Sequence, residues 1–210
     1  DVYKRQLFYQ PQIRLADNSL AGAEALLRWR HPERGMLSPA AFLPALQNGP
    51  LAATVGNWVL DEACAQAAEW MRHGVRDFRM GVNLFGAQFR MDDLASRVTS
   101  ALERHGLPPA ALELEITEDI VLDHDDLVLE SLQLLRSKGV GVAFDDFGTG
   151  YASLSMLKRY PLSRIKIDRS FVQGMIASPQ DKTVIAAVLD MADAFKLETI
   201  AEGIETEEQC

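Results

Sequence analysis

Apolar and polar residues alternate over residues 7–13, the pair Asp17-Asn18 follows, and a second strand-like run covers 21–29. Two such runs around a turn predict a hairpin whose second strand enters a sheet. The period then lengthens to that of a helix over 39–47 and 51–72; Ser38 is placed to cap the first of these and Pro39 suits its opening turn. Beyond this point short apolar runs and helical stretches take turns. Strands are predicted at 78–84, 112–116, 140–144, 164–167 and 199–201, and helices at 92–105, 124–138, 151–159 and 182–195. Gly106 and Gly139 close two of those helices. Strand–helix alternation with short connections implies βα units on a parallel sheet. There is no linker, low-complexity tract or solenoid repeat.

One polar residue recurs at about the same height on each long strand: Glu24, Asn83, Glu115, Asp145, Lys166 and Glu202. Most intervals are near the length of one βα unit, and the first is near two. Any one of these is an ordinary strand-end polar residue, but six in phase within apolar strands ask for a common destination. A closed or nearly closed barrel supplies one, because its active site is assembled at the C-terminal face from several strands. The rival architecture, a doubly wound open sheet, would gather polar strand ends at a single switch point.

Composition narrows the chemistry. The chain has 210 residues, 48% of them apolar and 24% charged, which excludes wholesale disorder. Thirty acidic side chains against 21 basic ones give a formal charge of −9, against binding of nucleic-acid polymers through a basic surface. A small phosphate ligand stays open if metal ions neutralise the site. No apolar run reaches the roughly 18 residues of a membrane span. Cys64 and Cys210 form neither a disulfide framework nor a zinc motif, so a reducing, cytoplasmic setting is expected. The phased set, extended by Asp146, consists of hard oxygen donors with one lysine; that selects Mg²⁺ or Mn²⁺ over zinc, with Ca²⁺ looser in geometry. Adjacent carboxylates such as Asp145-Asp146 can bridge two cations about 4 Å apart, the arrangement that holds attacking and leaving oxygens in phosphoryl displacement. The apolar flanks Phe144 and Phe147 argue for partial burial of the pair. Other signals are ordinary. Asp123-His124-Asp125-Asp126 reads as the acidic start of a helix, His31, His73 and His105 as surface or loop residues, and Trp29, Trp58, Trp70, Met71, Met80, Met156 and Met175 as core.

Several stretches, in order, resemble the EAL domain family of cyclic di-GMP phosphodiesterases. They are Tyr9-Gln10-Pro11, Glu24-Ala25-Leu26 with Leu27-Arg28-Trp29, Val82-Asn83-Leu84, Leu114-Glu115-Ile116-Thr117-Glu118, Asp145-Asp146-Phe147-Gly148-Thr149-Gly150, Lys166-Ile167-Asp168 and Ala201-Glu202-Gly203-Ile204-Glu205. The resemblance implies a TIM-like (β/α) barrel and a site with two ions of Mg²⁺ or Mn²⁺. It makes Glu24, Asn83, Glu115 and Asp145 ligands of the first metal, and Asp145 with Asp146 the bridge to the second. Lys166 would hold the hydrolytic water, Glu202 would be the general base, and Glu118 would anchor the 145–150 loop, which in the family borders a dimer interface. Gln10 and Arg28 would contact substrate, Arg28 at phosphate, where a guanidinium suits the oxygens. The implied reaction opens one phosphodiester bond of cyclic di-GMP to linear pGpG with inversion at phosphorus. Implied partners are a second copy of the chain and an upstream sensory or GGDEF module. The alternative within the family is a catalytically silent domain that senses cyclic di-GMP or contacts a protein; silent members lose ligands or the base, and this sequence keeps them. A carboxylate-pair glycosidase fits less well, since two facing carboxyl groups do not explain Asn83, Lys166 and the additional acids.

The family pattern is not followed everywhere. Phe85 stands where a serine is usual, and Gln47-Asn48-Gly49-Pro50 replaces a Glu-x-x-Gly-Leu stretch. Residues 1–6 resemble translated sequencing-adapter DNA, placing the native start at Leu7. Residues 198–210 read as a buried strand and the start of a helix, so the domain is expected to stop before its last strand and helix. An unclosed barrel leaves a sheet edge and apolar surface exposed. Residues 1–210 alone are therefore expected to be marginally stable or to aggregate, which a thermal melt followed by circular dichroism checks; a cooperative transition well above room temperature would contradict it.

Overall fold

The structure, a computed structural model, describes residues 5–90, 93–149 and 154–210, with only the backbone of 123–125. Its strands are β1 (Arg5–Ile13), β2 (Leu20–His31), β3 (Gly35–Leu37), β4 (Arg79–Asn83), β5 (Leu112–Ile116), β6 (Gly141–Phe147), β7 (Arg164–Ile167) and β8 (Glu198–Ala201). They form one sheet in the order β1-β2-β4-β5-β6-β7-β8, with β3 on β2. The pairs β1–β2 and β2–β3 are antiparallel hairpins, and every later pair is parallel. The helices are α1 (Leu43–Gln47), α2 (Ala52–Arg72), α3 (Gly86–Phe89), α4 (Leu94–His105), α5 (Glu118–Ser137), α6 (Leu154–Arg159), α7 (Arg169–Gly174) and α8 (Pro179–Phe195).

The sheet is strongly curled. Strands about 4.8 Å apart would put β2 and β7, four steps away, roughly 19 Å from each other in a flat sheet. Instead Lys166 Nζ on β7 lies 3.1 Å from Glu24 Oε2 on β2. This is the half-barrel of a TIM-like fold, and the doubly wound alternative falls. Period-two alternation divides each strand between two environments. On β5, Leu112, Leu114 and Ile116 are fully buried on the helix side, while Glu113 and Glu115 point into the barrel. Met80, Val82, Val142, Phe144, Ile165 and Ile167 repeat the outward pattern and pack with Val55, Val59, Ala63 and Ala67 of α2, Val98 of α4 and Leu132 of α5 in one core.

The barrel interior is layered by charge rather than filled with branched apolar side chains, the usual filling of such barrels. Near the N-terminal ends of the strands lie Arg79, Glu113, Arg164 and Glu198. Arg164 donates to Glu113 Oε1 at 2.6 Å and to Glu198 Oε2; Arg79 donates to Glu198 Oε2 at 2.7 Å and Oε1 at 3.2 Å. These bonds hold the Glu198 carboxyl below its ordinary pKa against the opposing effect of its partial burial. The second layer, two to four residues further along the same strands, holds Asn83, Glu115, Lys166 and Glu202.

Several boundaries differ from the expected ones for local reasons. The helix expected at 124–138 starts at Glu118, because Thr117 is extended and Glu118 and Asp119 place negative charge in the first turn. The acidic 123–126 run thus lies inside α5 rather than at its start; the side chains of 123–125 are outside the described residues. The 39–47 helix is split into a 3₁₀ turn, Pro39–Ala41, and α1, interrupted at Phe42; Ser38 precedes the turn but makes no side-chain capping bond. The 140–144 strand runs on to Phe147 after a register shift between Phe144 and Phe147. Gly106 closes α4 at φ +64, a conformation glycine adopts without strain. Strand β8 is mostly exposed, not buried, and only a 3₁₀ turn, Glu207–Gln209, follows it. β3, α3 and α7 were not anticipated. Arg5 and Gln6 pair with Trp29 and Arg28 in β1, and Arg5 lies over the Trp58 ring at 5.3 Å; residues 1–4, 92 and 151–153 are outside the described residues. Among the described residues no helix is long and apolar enough to cross a membrane.

Candidate active site

The second charged layer converges on Lys166, a side chain 1% exposed at the centre of the strand ends. Its ammonium lies 2.7 Å from Glu115 Oε2, 2.8 Å from Glu202 Oε1, 2.9 Å from Asp145 Oδ1 and 3.1 Å from Glu24 Oε2. Asn83 Nδ2 donates to the other oxygen of Glu24 at 2.7 Å. All six residues of the phased set therefore meet at one place, although they come from strands spread over most of the chain.

Asp146 reaches the same place by a different route. The register shift in β6 puts it at φ +53, in the left-handed region, so that the two neighbouring carboxylates do not fall on opposite sheet faces as consecutive strand residues would. Its N–H donates to Asp145 Oδ1 at 3.0 Å, and its carbonyl accepts from Thr149 Oγ1 at 2.8 Å, closing the turn that follows.

The electrostatics are those of a crowded acidic pocket. Burial pushes the Glu115 carboxyl well above its ordinary pKa, with Glu24 and Asp145 adding to the push and Lys166 opposing it. Glu202 is raised by burial first, then by Asp145 and Glu24. Dehydration, then the charges of Asp145 and Asp168, raises Asp146 to about 6. Burial alone would lower Lys166, yet the carboxylates around it outweigh that and raise its pKa well above the ordinary value. Like-charged carboxylates at this spacing resist ionising together unless cations are present.

The residues fit divalent metal ions. Among the described residues, Glu24, Glu115 and Asp145 offer oxygens within 4.8 Å of one another, and so do Asp145, Asp146 and Glu202. Glu115 Oε1 is buried without a hydrogen-bond partner, an acceptor still in need of a cation or donor. A Cβ at Gly81 would stand 2.2 Å from that same oxygen, so the glycine keeps open the space it occupies. Five carboxylates around one ammonium leave a formal deficit of four charges, which divalent cations would offset. All the donors are hard oxygens.

The remaining expected residues lie around this centre. Gln10 is the direct cross-strand partner of Glu24, and both line an open cavity of about 1330 Å³ that also reaches Asp145, Lys166 and Glu202. Arg28 lies on the same face of β2 four residues beyond Glu24, 5.6 Å from the Phe8 ring, and donates to Leu27 O at 3.1 Å; it is not brought to the carboxylates. Glu118 opens α5 directly after β5, and Gly150, at the far end of the loop it was expected to anchor, is outside the described residues. Reading the sequence missed the role of Asp168, which caps α7 by accepting from Ser170 N at 2.9 Å and shares a hydrogen bond with Asp146. It also missed the floor layer of Arg79, Glu113, Arg164 and Glu198. The signal was available: each stands two or four residues before a member of the phased set, hence on the same strand face.

A curled parallel sheet with a metal-competent acidic centre at its C-terminal face defines a β/α-barrel carboxylate site. Comparison with known proteins names the family: the EAL domain profile matches residues 4–210, and the chain belongs to the EAL domain family. It is 42% identical over 203 residues to the bifunctional diguanylate cyclase/cyclic di-GMP phosphodiesterase MucR of Pseudomonas aeruginosa, covering 97% of this chain and 30% of that protein. It is 37% identical over 204 residues to the oxygen sensor protein DosP of Escherichia coli, covering 97% and 26%. The chain thus spans under a third of these relatives. The PaMucR phosphodiesterase in its c-di-GMP complex superposes with a TM-score of 0.93 at 41% identity, covering 99% of this chain and 84% of that one. Klebsiella pneumoniae BlrP1, in a manganese/cy-diGMP complex, superposes with a TM-score of 0.85 at 26% identity, covering 98% and 51%.

Two outcomes follow from the geometry. Gly81→Ala must displace the Glu115 carboxylate, so it is expected to weaken Mn²⁺ binding by isothermal titration calorimetry while circular dichroism still reports the fold. The second concerns pH. A carboxyl whose folded pKa is raised binds its proton more tightly in the folded than in the unfolded chain, so it lowers stability as pH rises from the ordinary aspartate value through about 6. In EDTA, Asp146→Asn is therefore expected to raise the melting temperature above pH 6, relative to its effect near pH 4, where the aspartic acid is largely protonated when folded.

Proposed function

We propose that this chain hydrolyses cyclic di-GMP to linear pGpG in a reaction that requires Mg²⁺ or Mn²⁺. The observation that carries the reading is the convergence of Glu24, Glu115, Asp145 and Glu202 on Lys166, with Asp146 beside them, a charge deficit suited to two divalent cations. Its relation to MucR and to nucleotide-bound relatives supports the choice of substrate.

In this reading Glu24, Asn83, Glu115 and Asp145 hold one ion, and Asp145 with Asp146 reaches a second. When bound, the ions supply Lewis acidity at phosphate and lower the pKa of water. The chain's own residues do the rest. Lys166 Nζ, at the centre of the carboxylates, would donate to the attacking water and orient it. Glu202 Oε1, 2.8 Å from that ammonium, is placed to take the water's proton. Asn83 holds Glu24 in orientation through its amide bond. Gln10 lies beside the centre to hold one part of the nucleotide, and Arg28 further along the ribbon reaches phosphate. Glu118 holds the loop that follows Asp146. Exposed Leu122, Leu127 and Leu134 on α5 support a homodimer, and the greater length of the relatives supports an upstream regulatory module in a cytoplasmic protein.

Incubating cyclic di-GMP with the chain and Mn²⁺, followed by chromatography, is expected to give pGpG, with product lost in Asp145→Ala and after metal removal by EDTA. Nucleotide binding without turnover, persisting when the barrel is completed by a further strand and helix, would instead identify a silent sensor.

A further inference from the structure

Glu202 directly follows strand β8, so its height depends on the register of that strand. β8 pairs in parallel with β7, with Glu198 opposite Arg164 and Ala201 opposite Ile167. The ladder itself discriminates poorly: in a two-residue slip, about 6.6 Å along the strand, the backbone can pair again and each side chain keeps its face. Such a slip would carry Glu202 out of reach of Lys166.

The charged floor does discriminate. Glu198 lies opposite Arg164 in the β7–β8 register and accepts from both Arg164 and Arg79, while buried Glu113 holds the other end of Arg164. Moving β8 by two residues would present either Lys196 or Ile200 to the two guanidinium groups. The first places three cations together, and the second takes the Glu198 carboxylate from both arginines, leaving them to share Glu113; removing one member of such a partly buried set is costly. Four residues separate Glu198 from Glu202, so the floor sets the height of both inward-facing carboxylates. Arg79 makes the pairing reach across the barrel, from β4 to β8, rather than only to the adjacent strand.

We infer that Glu198, Arg79 and Arg164 are positioning residues: their ion pairs at the barrel floor lock the register of β8 and thereby hold Glu202 against Lys166. The part of this that concerns turnover rests on the proposed hydrolysis, with Glu202 as its base; the register lock itself does not.

The test uses the full-length protein with Glu198→Gln, which keeps the side-chain size and removes the charge, and Arg79→Gln, a milder change at a partly exposed residue. Amide hydrogen exchange, independent of any substrate, is expected to show lost protection in β8 and at the Glu202 N–H, which donates to Ile167 O at 3.1 Å, with β5 and β6 unchanged. A uniform loss across the sheet, or no loss in β8, would overturn the lock. With cyclic di-GMP and Mn²⁺, kcat is expected to fall by as much as about a hundredfold, the scale of a misplaced catalytic group, at nearly constant KM. In a Glu202→Gln background the same floor substitution is expected to cost nothing more. Multiplying effects would mean that the floor acts elsewhere. If the parent protein does not turn over cyclic di-GMP, the functional reading fails, and the exchange data still decide the register lock.

Discussion

A single lysine between four carboxylates organises this half-barrel. Lys166 is buried and charged, a costly combination unless every polar atom is answered, and Glu24, Glu115, Asp145 and Glu202 answer it from β2, β5, β6 and the end of β8. Because those carboxylates come from both ends of the strand order, their contact with one ammonium demands that the sheet curl. The same charges make the site incomplete without cations: one ammonium offsets one carboxylate, and burial and mutual repulsion raise the pKa of Glu115, Asp146 and Glu202. Architecture and metal affinity are thus two consequences of one electrostatic arrangement.

Beneath it, the floor of two arginines and two glutamates is balanced in itself. The two layers share strands and face but differ in charge balance, which separates their work. A neutral layer gains nothing from a divalent ion and holds strands together; a layer with a deficit of four charges binds cations. Gly81 belongs to this division as well, since any side chain there would fill the space that Glu115 Oε1 occupies. Asp146 adds a backbone element: without the left-handed turn at the end of β6, its carboxylate would project toward the helices.

Much of this was legible in the residues themselves. The alternation of strands and helices, the parallel order, and the six polar positions in phase follow from periods of 2 and 3.6, which are local properties of the chain. The resemblance in short motifs pointed to the family that the comparison then showed. What escaped was decided by competition between local signals or by distant contacts. The acidic run at 123–126 imitates a helix start, whereas Thr117 and the first-turn acids begin α5 at Glu118.

The sequence by itself determined which residues alternate inward, hence that carboxylates, an asparagine and a lysine would stand at strand ends, because side-chain direction follows from backbone geometry one residue at a time. Only the tertiary structure decided that Lys166 meets all four carboxylates, that Arg79 crosses the barrel to Glu198, and that Arg28 stays apart from the acidic centre. Those facts depend on the curl of the sheet and on its strand register. Both are set by many pairings summed over the whole chain, and no local pattern contains that sum.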